Sequence, residues 1–512
     1  MPSSDVPSNW WRTAVIYEIY VRSFADGNGD GEGDLIGLRE RLPYLRDLGV
    51  DAIWLTPFYR SPMVDGGYDV ADYRDVDPLF GSLADFDAML AAAHALDIRV
   101  IVDIVPNHTS SQHPWFTSAL AAGPGSLERD RYIFRPSASS SPEEPPNDWE
   151  SIFGGRAWTR TADGEWYLHL FDPGQPDLNW DNADVRAEFE SVLRFWLDRG
   201  VDGFRIDVAH GMVKAAGLPS VGHPQQIGLL GREPLPYFDQ DGVHEIYRAW
   251  RKILDSYPGD RMAVAEAWAS TPLRLARYVA PDELHQAFNF DFLAAPWSAA
   301  QLRATIDACI EAADSVGAPT TWVLSNHDKA RHVTRFGSPG IARAAALLML
   351  ALPGAAYLYQ GEELGLPEVL DLPDDARQDP VWHRSGGTDP GRDGCRVPLP
   401  WDASLPAYGF STTGRSWLPQ PDWASLAASS QQGVPSSFLE LYRTALRLRR
   451  TFTGPLTWHD SPADVLDLSR GGVRCVVNLS GAAVAVPAGS VVLSSGDLPD
   501  GTLPPDTAVW LR

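Results

Sequence analysis

The chain has 512 residues, of which 44% are hydrophobic and 21% charged, with a formal net charge of -25 and a pI of about 4.8. That is the balance of a soluble globular protein with core enough for more than one domain. Its negative field disfavours phosphate backbones and anionic lipid, so nucleic acid and membrane surfaces are excluded as partners. No run is long and apolar enough to span a bilayer, and Met1–Trp10 lacks the basic and apolar stretches of a signal peptide. Cys309, Cys395 and Cys475 are odd in number and far apart. They make neither a disulfide framework nor a metal cluster, and a reducing cytoplasm is the expected compartment.

Strand-like and helix-like stretches alternate along the chain. Strands are predicted at Ala14–Tyr20, Ala52–Thr56, Arg99–Val105, Gly203–Asp207, Met262–Glu266, Gln286–Phe290, Thr321–Ser325 and Ala356–Gln360. Most lack period-two alternation, as strands covered on both faces do. Amphipathic helices are predicted at Leu35–Leu48, behind Asp34, and at Leu83–Leu96, where Ser82 and Asp85 are spaced for a capping box. Others are predicted at Asp184–Arg199, His244–Tyr257, Ala300–Ala313, Ile341–Ala351 and Ser437–Arg450. Eight such units favour a closed (β/α)8 TIM barrel over an open doubly wound sheet, and no Gly-x-Gly-x-x-Gly fingerprint follows the first strand.

Two interruptions stand out. The first, 109–182, follows strand three; its Ser/Pro-rich Pro136–Pro146 lies among Trp149, Phe153, Trp158 and Trp166, aromatics that favour a small folded subdomain. The second is Gly361–Pro435. Beyond Arg450 short apolar alternations such as Val473–Val477 and Val491–Ser494 suggest a C-terminal antiparallel β-sandwich. The expected division is 1–108 with 183–452 for the barrel, 109–182 for the inserted subdomain and 453–512 for the sandwich.

Four segments carry the chemistry: Asp103-Ile104-Val105-Pro106-Asn107-His108, Gly203-Phe204-Arg205-Ile206-Asp207, Ala265-Glu266-Ala267-Trp268 and Ser325-Asn326-His327-Asp328. Active groups of a barrel sit at the C-terminal ends of its strands, so Asp207, Glu266 and Asp328 should converge on one mouth. A single such carboxylate would be read as a helix cap; three beside an arginine, a histidine and a tryptophan are not. Retaining glycoside hydrolysis needs a nucleophilic carboxylate and a protonated carboxylic acid roughly 5–5.5 Å apart.

In order and spacing these segments resemble the signature regions of the α-amylase family of glycoside hydrolases, and the resemblance runs over essentially the whole chain. It implies that Asp207 is the nucleophile, that Glu266 is the general acid and then the base, and that Asp328 grips ring hydroxyls. The acid must hold a proton near neutral pH, and Ala265, Ala267 and Trp268 are suitably apolar neighbours. Arg205, on the same strand face as Asp207, would keep that carboxylate ionised. The resemblance further implies sugar contacts from His108, His327, Tyr68, Asp69, Arg392 and Arg396, with Cys395 an unusual small residue among them. Phe153 and Phe171 fit either an aromatic wall or the subdomain core.

Gln175-Pro176-Asp177-Leu178-Asn179-Trp180 and Gln360-Gly361-Glu362-Glu363-Leu364-Gly365 are similar to the α-glucosidase and oligo-1,6-glucosidase subgroup, in which a Val after the nucleophile, here Val208, accompanies α-1,4 preference. The first loop, Asp26-Gly27-Asn28-Gly29-Asp30-Gly31-Glu32-Gly33-Asp34, alternates oxygen ligands with glycines and suits a hard divalent cation. It starts like an EF-hand, but the twelfth position is Gly37. By resemblance, one structural Ca2+ or Mg2+ is held by Asp26, Asn28, Asp30, Asp34 and the backbone of Glu32. No organic cofactor is implied.

The expectation is a retaining, exo-acting α-glucosidase that takes glucose from the non-reducing end of short α-glucosides, maltose-like ones first. A transglucosidase of trehalose-synthase or sucrose-isomerase type, or an oligo-1,6-glucosidase, would use the same residues. From a different class, a non-catalytic relative like the heavy subunit of amino-acid transporters is disfavoured, because the chain keeps all three carboxylates and shows no membrane span.

Overall fold

The computed structural model describes residues 9–138 and 141–512. Residues 1–8 of the expected first segment, and Ser139 and Ser140 of the Ser/Pro-rich stretch, lie outside the described residues. Eight parallel strands form one sheet: β1 (Val15–Ile19), β2 (Ala52–Leu55), β3 (Arg99–Ile104), β4 (Gly203–Ile206), β5 (Met262–Ala265), β6 (Gln286–Ala287), β7 (Thr321–Val323) and β8 (Ala355–Tyr359). Their order is β6-β5-β4-β3-β2-β1-β8-β7, so the ladder runs round the barrel from β6 to β7. That last seam carries no ladder pairing and is crossed by the Thr321 hydroxyl donating to the Ala287 carbonyl at 2.5 Å.

Both faces of the sheet are buried. Ile16, Trp54, Ile101, Val264 and Tyr357 fill the barrel interior, while Tyr17, Ile53, Val102 and Phe204 pack under the helices. This is why the strands read as continuous apolar runs. Towards the C-terminal ends the inward positions turn polar, with Glu18, Asp103 and Arg205 all nearly inaccessible. Stability is built into the lower barrel and chemistry into its rim.

The helices packed around the barrel include α1 (Leu35–Leu48), α2 (Leu83–Ala95), α3 (Ala183–Asp198), α4 (Val243–Asp255), α5 (Pro272–Arg277), α6 (Ala299–Ser315), α7 (Pro339–Ala351) and α8 (Phe438–Arg449). Asp34 caps α1 by accepting from Gly37 N–H, and Ser82 with Asp85 closes the capping box on α2. The six-residue α5 escaped the sequence reading because it is too short to show a helical period. Its signal was the Thr271 cap followed by Pro272 at the first helical position. The sixth strand is shorter than the predicted Gln286–Phe290. Asn289 caps a short helix, Phe290–Ala294, by accepting from Phe292 N–H, and that ends the strand early.

Residues 109–182 contain a helix, Pro114–Ala122, and a three-stranded antiparallel sheet of Phe134–Arg135, Trp166–Leu168 and Trp158–Arg160. A third irregular segment, 207–242, follows β4. The inserted residues hold it in place: the Trp149 indole donates to Pro219 O at 2.8 Å and Gln226 Nε2 to Asp148 O at 2.8 Å. Trp149, Trp158, Leu170, Val208, Leu235 and Phe238 share one apolar cluster. At the C-terminus a five-stranded antiparallel sheet faces the two-stranded pair Val484–Ala485 and Thr502–Leu503 over Val465, Val476 and Val509. Its other side docks on α7, where the Trp510 indole donates to Leu347 O. No helix among the described residues is long and apolar enough to cross a membrane.

Candidate active site

A cavity of about 550 Å³ opens at the C-terminal rim of the barrel, within the range of small-molecule sites. Asp207, Glu266 and Asp328 all line it, together with Tyr68, His108, Phe153, Phe171, Val208 and Arg392. The convergence follows from register. Ile206 pairs with Ala265 across β4 and β5, so the next residue on each strand, Asp207 and Glu266, emerges at one level. Asp207 N–H bonds Ile104 O and Glu266 N–H bonds Ile206 O, each at 2.9 Å, which fixes both main chains.

Arg205 bonds both Asp207 and Asp103, reaching the latter at 3.1 and 3.2 Å. Burial raises the Asp207 carboxyl, Asp103 and Glu266 add to that, and the Arg205 guanidinium opposes it. Asp103 is itself pushed up to about 6 by burial, against Arg205 and the Trp54 indole. Glu266 Oε2 accepts the Val208 N–H at 2.8 Å. Asp328 accepts from Arg392 at 3.1 Å and Arg396 at 3.0 Å. Burial works to raise it, but His327, Arg392 and Arg396 hold it well below the usual carboxylate range. It keeps 35% of its side chain open, and it lines the cavity.

His108 is lowered to about 4 by burial, so its ring is neutral at physiological pH. Gln175 Nε2 lies 3.2 Å and Tyr68 O 3.1 Å from His108 Nε2. His327 stacks on Tyr68 with centroids 5.2 Å apart and planes at 4°. Its Nδ1 is held by Glu18, while its Nε2 has no hydrogen-bond partner. Phe153 and Phe171, edge to face at 5.5 Å, are both wall residues.

Four expected contacts stand behind the wall: Arg205, His327, Arg396 and Asp69. The first three grip groups that do face the cavity. Asp69 does not. Its carboxylate is turned into its own loop, where it accepts from Ser61 Oγ at 2.9 Å, Val64 N–H at 2.9 Å and Asp65 N–H at 3.1 Å. It is fully buried and does not line the cavity. Asp65 takes that position, lining the cavity and pairing with Arg392 at 2.6 Å.

Sequence reasoning also missed Asp103, which opens the first signature segment, Glu18 on β1, and Asp379, which meets Arg392 at 2.6 Å. It missed one whole wall as well. Ile227, Leu230, Arg232 and Phe238 of the segment after β4 face the inserted Ile152, and Val381, Asp389 and Gly391 come from the late loop. Beyond Asp207 the 207–242 segment carries no catalytic residue type in a motif, so only its aromatic and Leu content could have marked it.

In the first loop, Asp26 accepts from Gly29 and Gly31 N–H, and Asp34 from Gly27, Asn28 and Gly37 N–H. Both carboxylates are buried, and neither has a basic partner among the described residues. Burial raises Asp34, and the neighbouring Asp26 charge adds to it. Two buried, unneutralised carboxylates beside amide and carbonyl oxygens have the hard-donor chemistry of a divalent cation site. The side chains alone are not gathered for chelation: among the described residues, no three His, Cys, Asp or Glu form a metal-holding group.

Residues 18–454 match the profile of the alpha-amylase catalytic domain. The chain is 38% identical over 479 residues to the oligo-1,6-glucosidase of Parageobacillus thermoglucosidasius, covering 86% of this chain and 84% of that one. It is 40% identical over 468 residues to a probable alpha-glucosidase of Rhizobium meliloti (strain 1021), covering 86% and 83%. The crystal structure of the alpha-glucosyl transfer enzyme XgtA superposes with a TM-score of 0.87 at 38% identity, over 98% of this chain and 99% of that one. Three carboxylates on one barrel rim, a matching profile over most of the length and relatives of this likeness establish that the chain belongs to the α-amylase family of glycoside hydrolases.

Proposed function

We propose that this protein is a retaining, exo-acting α-glucosidase that removes glucose from the non-reducing end of short α-glucosides, α-1,4-linked ones first. The observation that carries this reading is the cavity shared by Asp207, Glu266 and Asp328, whose lining also holds the ion-paired Asp65 and Arg392. A compact cavity of this kind suits a chain terminus rather than a chain interior.

In the first step Asp207 attacks the anomeric carbon while Glu266 gives its proton to the linking oxygen, and the aglycone departs. Glu266, now a carboxylate, takes a proton from water, which attacks the same carbon and frees Asp207. Two inversions at one centre give net retention. Arg205 favours the charged Asp207 needed for attack. Asp65, Asp328 and Arg392 are suited to ring hydroxyls, with His327 behind them at 3.5 Å from Asp328, and contacts of this kind accelerate the step only where they tighten in the transition state. A Val directly after Asp207, as in the α-1,4-preferring members of the subgroup it resembles, supports the α-1,4 preference.

A Ca2+ or Mg2+ in the first loop belongs to the same reading, supported by the unneutralised Asp26 and Asp34. It would be structural, since the loop carries no cavity residue. Cytoplasmic location is supported by three cysteines that all remain unpaired and buried. Similarity to an α-glucosyl transfer enzyme favours one second reading, in which a sugar hydroxyl replaces water in the second step. A product time course on maltose, isomaltose, sucrose and starch tests both. Two glucose for each maltose consumed support hydrolysis, one glucose with new oligosaccharides supports transfer, and internal starch fragments ahead of glucose overturn the exo-acting proposal.

A further inference from the structure

Glu18 is the one charged residue of β1, and it is 1% exposed. Burying a carboxylate is costly unless it is paired. Among the described residues no Lys or Arg lies within ion-pair distance of it; its partner is His327, from the loop after β7. Glu18 Oε1 accepts the His327 main-chain N–H at 3.3 Å and also takes Nδ1 of the ring. These bonds reach across β8, which separates β1 from β7 in the sheet.

The His327 ring is left with one choice. Tyr68 and Tyr20 stack on it, with centroids at 5.2 and 6.1 Å, and Trp54 meets it edge-on at 5.9 Å. Stacked neighbours fix the plane of an imidazole, but a half-turn about Cβ–Cγ returns the same plane. In one setting Nδ1 meets Glu18 and Nε2 meets Asp328. In the other, each carboxylate meets a ring carbon. The bond to Glu18 selects the first.

That choice matters to Asp328. Its Oδ1 accepts from Arg392 at 3.1 Å and Arg396 at 3.0 Å. Its Oδ2 lies 3.5 Å from His327 Nε2 and meets no other polar side chain among the described residues. Oδ2 is therefore the oxygen left for a sugar. Nε2 is itself buried, so His327 reaches the sugar only through Asp328. Against the upward push of burial, His327 leads Arg392 and Arg396 in lowering the Asp328 carboxyl.

We propose that Glu18 is a positioning residue: by fixing the setting of His327, it aims Asp328 Oδ2 at the ring hydroxyls of the bound glucose. This rests on the glucosidase reading and extends its machinery to β1. Glu18 is absent from the cavity lining and touches no substrate. Its effect belongs in kcat, where contacts that tighten in the transition state are felt.

The test compares wild type, Glu18→Leu, Asp328→Asn and the double variant, with kcat and KM on p-nitrophenyl α-glucoside and a thermal melt of each. Glu18→Leu alone should lower kcat by about thirtyfold and leave KM within about threefold. In the Asp328→Asn background the same change should cost less than about threefold, because the carboxylate it aims is gone. Glu18→Gln keeps an oxygen before Nδ1 and should recover most of the lost kcat. Equal costs in the two backgrounds, a Glu18→Leu protein with wild-type kcat, or a Glu18→Gln protein as slow as Glu18→Leu each overturn the proposal and mark Glu18 as a packing residue. Should Glu18→Leu fail to fold, Glu18→Asp, whose carboxylate stops one methylene short of the ring, takes its place under the same criteria. A wild-type protein that releases no glucose from p-nitrophenyl α-glucoside or maltose fells the glucosidase reading itself, a result distinct from equal costs in an active enzyme.

Discussion

The main-chain N–H of Val208 donates to the Glu266 carboxylate at 2.8 Å, and Val208 makes this bond from left-handed backbone with φ 43°. A β-branched residue rarely adopts that conformation, and it persists only where the surroundings impose it. Here the imposing contacts are Asp207 N–H to Ile104 O on one side and Ala209 N–H to Glu266 O on the other. The residue after the proposed nucleophile thus orients the proposed acid, and its side chain forms cavity wall between them.

Val208→Thr keeps the β-branch and the backbone strain while exchanging a methyl for a hydroxyl. The ratio of isomaltose to maltose hydrolysis should rise. An unchanged ratio would remove Val208 from the linkage argument.

Asp207→Ala and Glu266→Gln should each lower kcat on maltose by about 10³-fold or more, with melting temperatures close to wild type. Arg205 keeps Asp103 as partner when Asp207 is shortened, so no unpaired buried charge is created. Near-normal turnover in either variant would refute the role assignment.

Asp65 and Asp69 should separate cleanly. Asp65→Ala deprives the cavity of a carboxylate and Arg392 of a partner, and kcat/KM should fall by about 10²-fold. Asp69→Ala strands two loop N–H groups and a hydroxyl, at about 3 kcal/mol of stability. Its melting temperature should therefore drop further than that of Asp65→Ala, while kcat/KM suffers less. The reverse ordering in paired melts and kinetics would restore Asp69 as the sugar contact.

Chelation by EDTA should lower the melting temperature more than it lowers initial rates at low temperature, because the first loop braces β1 and α1 without touching the cavity. Re-addition of Ca2+ or Mg2+ should reverse the loss. A melting curve indifferent to chelator and cation would show that the loop holds no metal.

Glu362, buried beneath α8 and bonded by the Tyr442 hydroxyl at 2.9 Å, is pushed by burial from 4.5 up to about 8. A raised folded-state value means that the folded protein holds the proton more tightly than the unfolded chain. The stability so gained is full below pH 4.5 and is lost as pH rises through about 8. Glu362→Gln carries no charge at any pH and can still accept from Tyr442. Its melting temperature should fall less steeply than wild type between pH 5 and pH 9, by on the order of 2 °C. Parallel curves would exclude Glu362 as the source of that slope.

Local chemistry was legible in the chain itself. The strands show as apolar runs because both sheet faces are covered, α1 and α2 announce themselves through Asp34 and Ser82, and the strand-end positions of Asp207 and Glu266 follow from where the runs stop. What the sequence could not decide is which way a carboxylate turns and which distant segments meet. Asp65 and Asp69 are four residues apart in one turn. Only the hydrogen bonds of the folded loop, three of them closing on Asp69, leave Asp65 free to face Arg392, 327 residues away. The wall from 207–242 shows the same limit, since its position depends on Trp149 and Gln226 contacts across some 70 residues of sequence. Short-range periodicity and capping are written residue by residue. The orientation of a buried polar group is settled by competition among all the partners that folding brings within reach, and those partners come from anywhere along the chain.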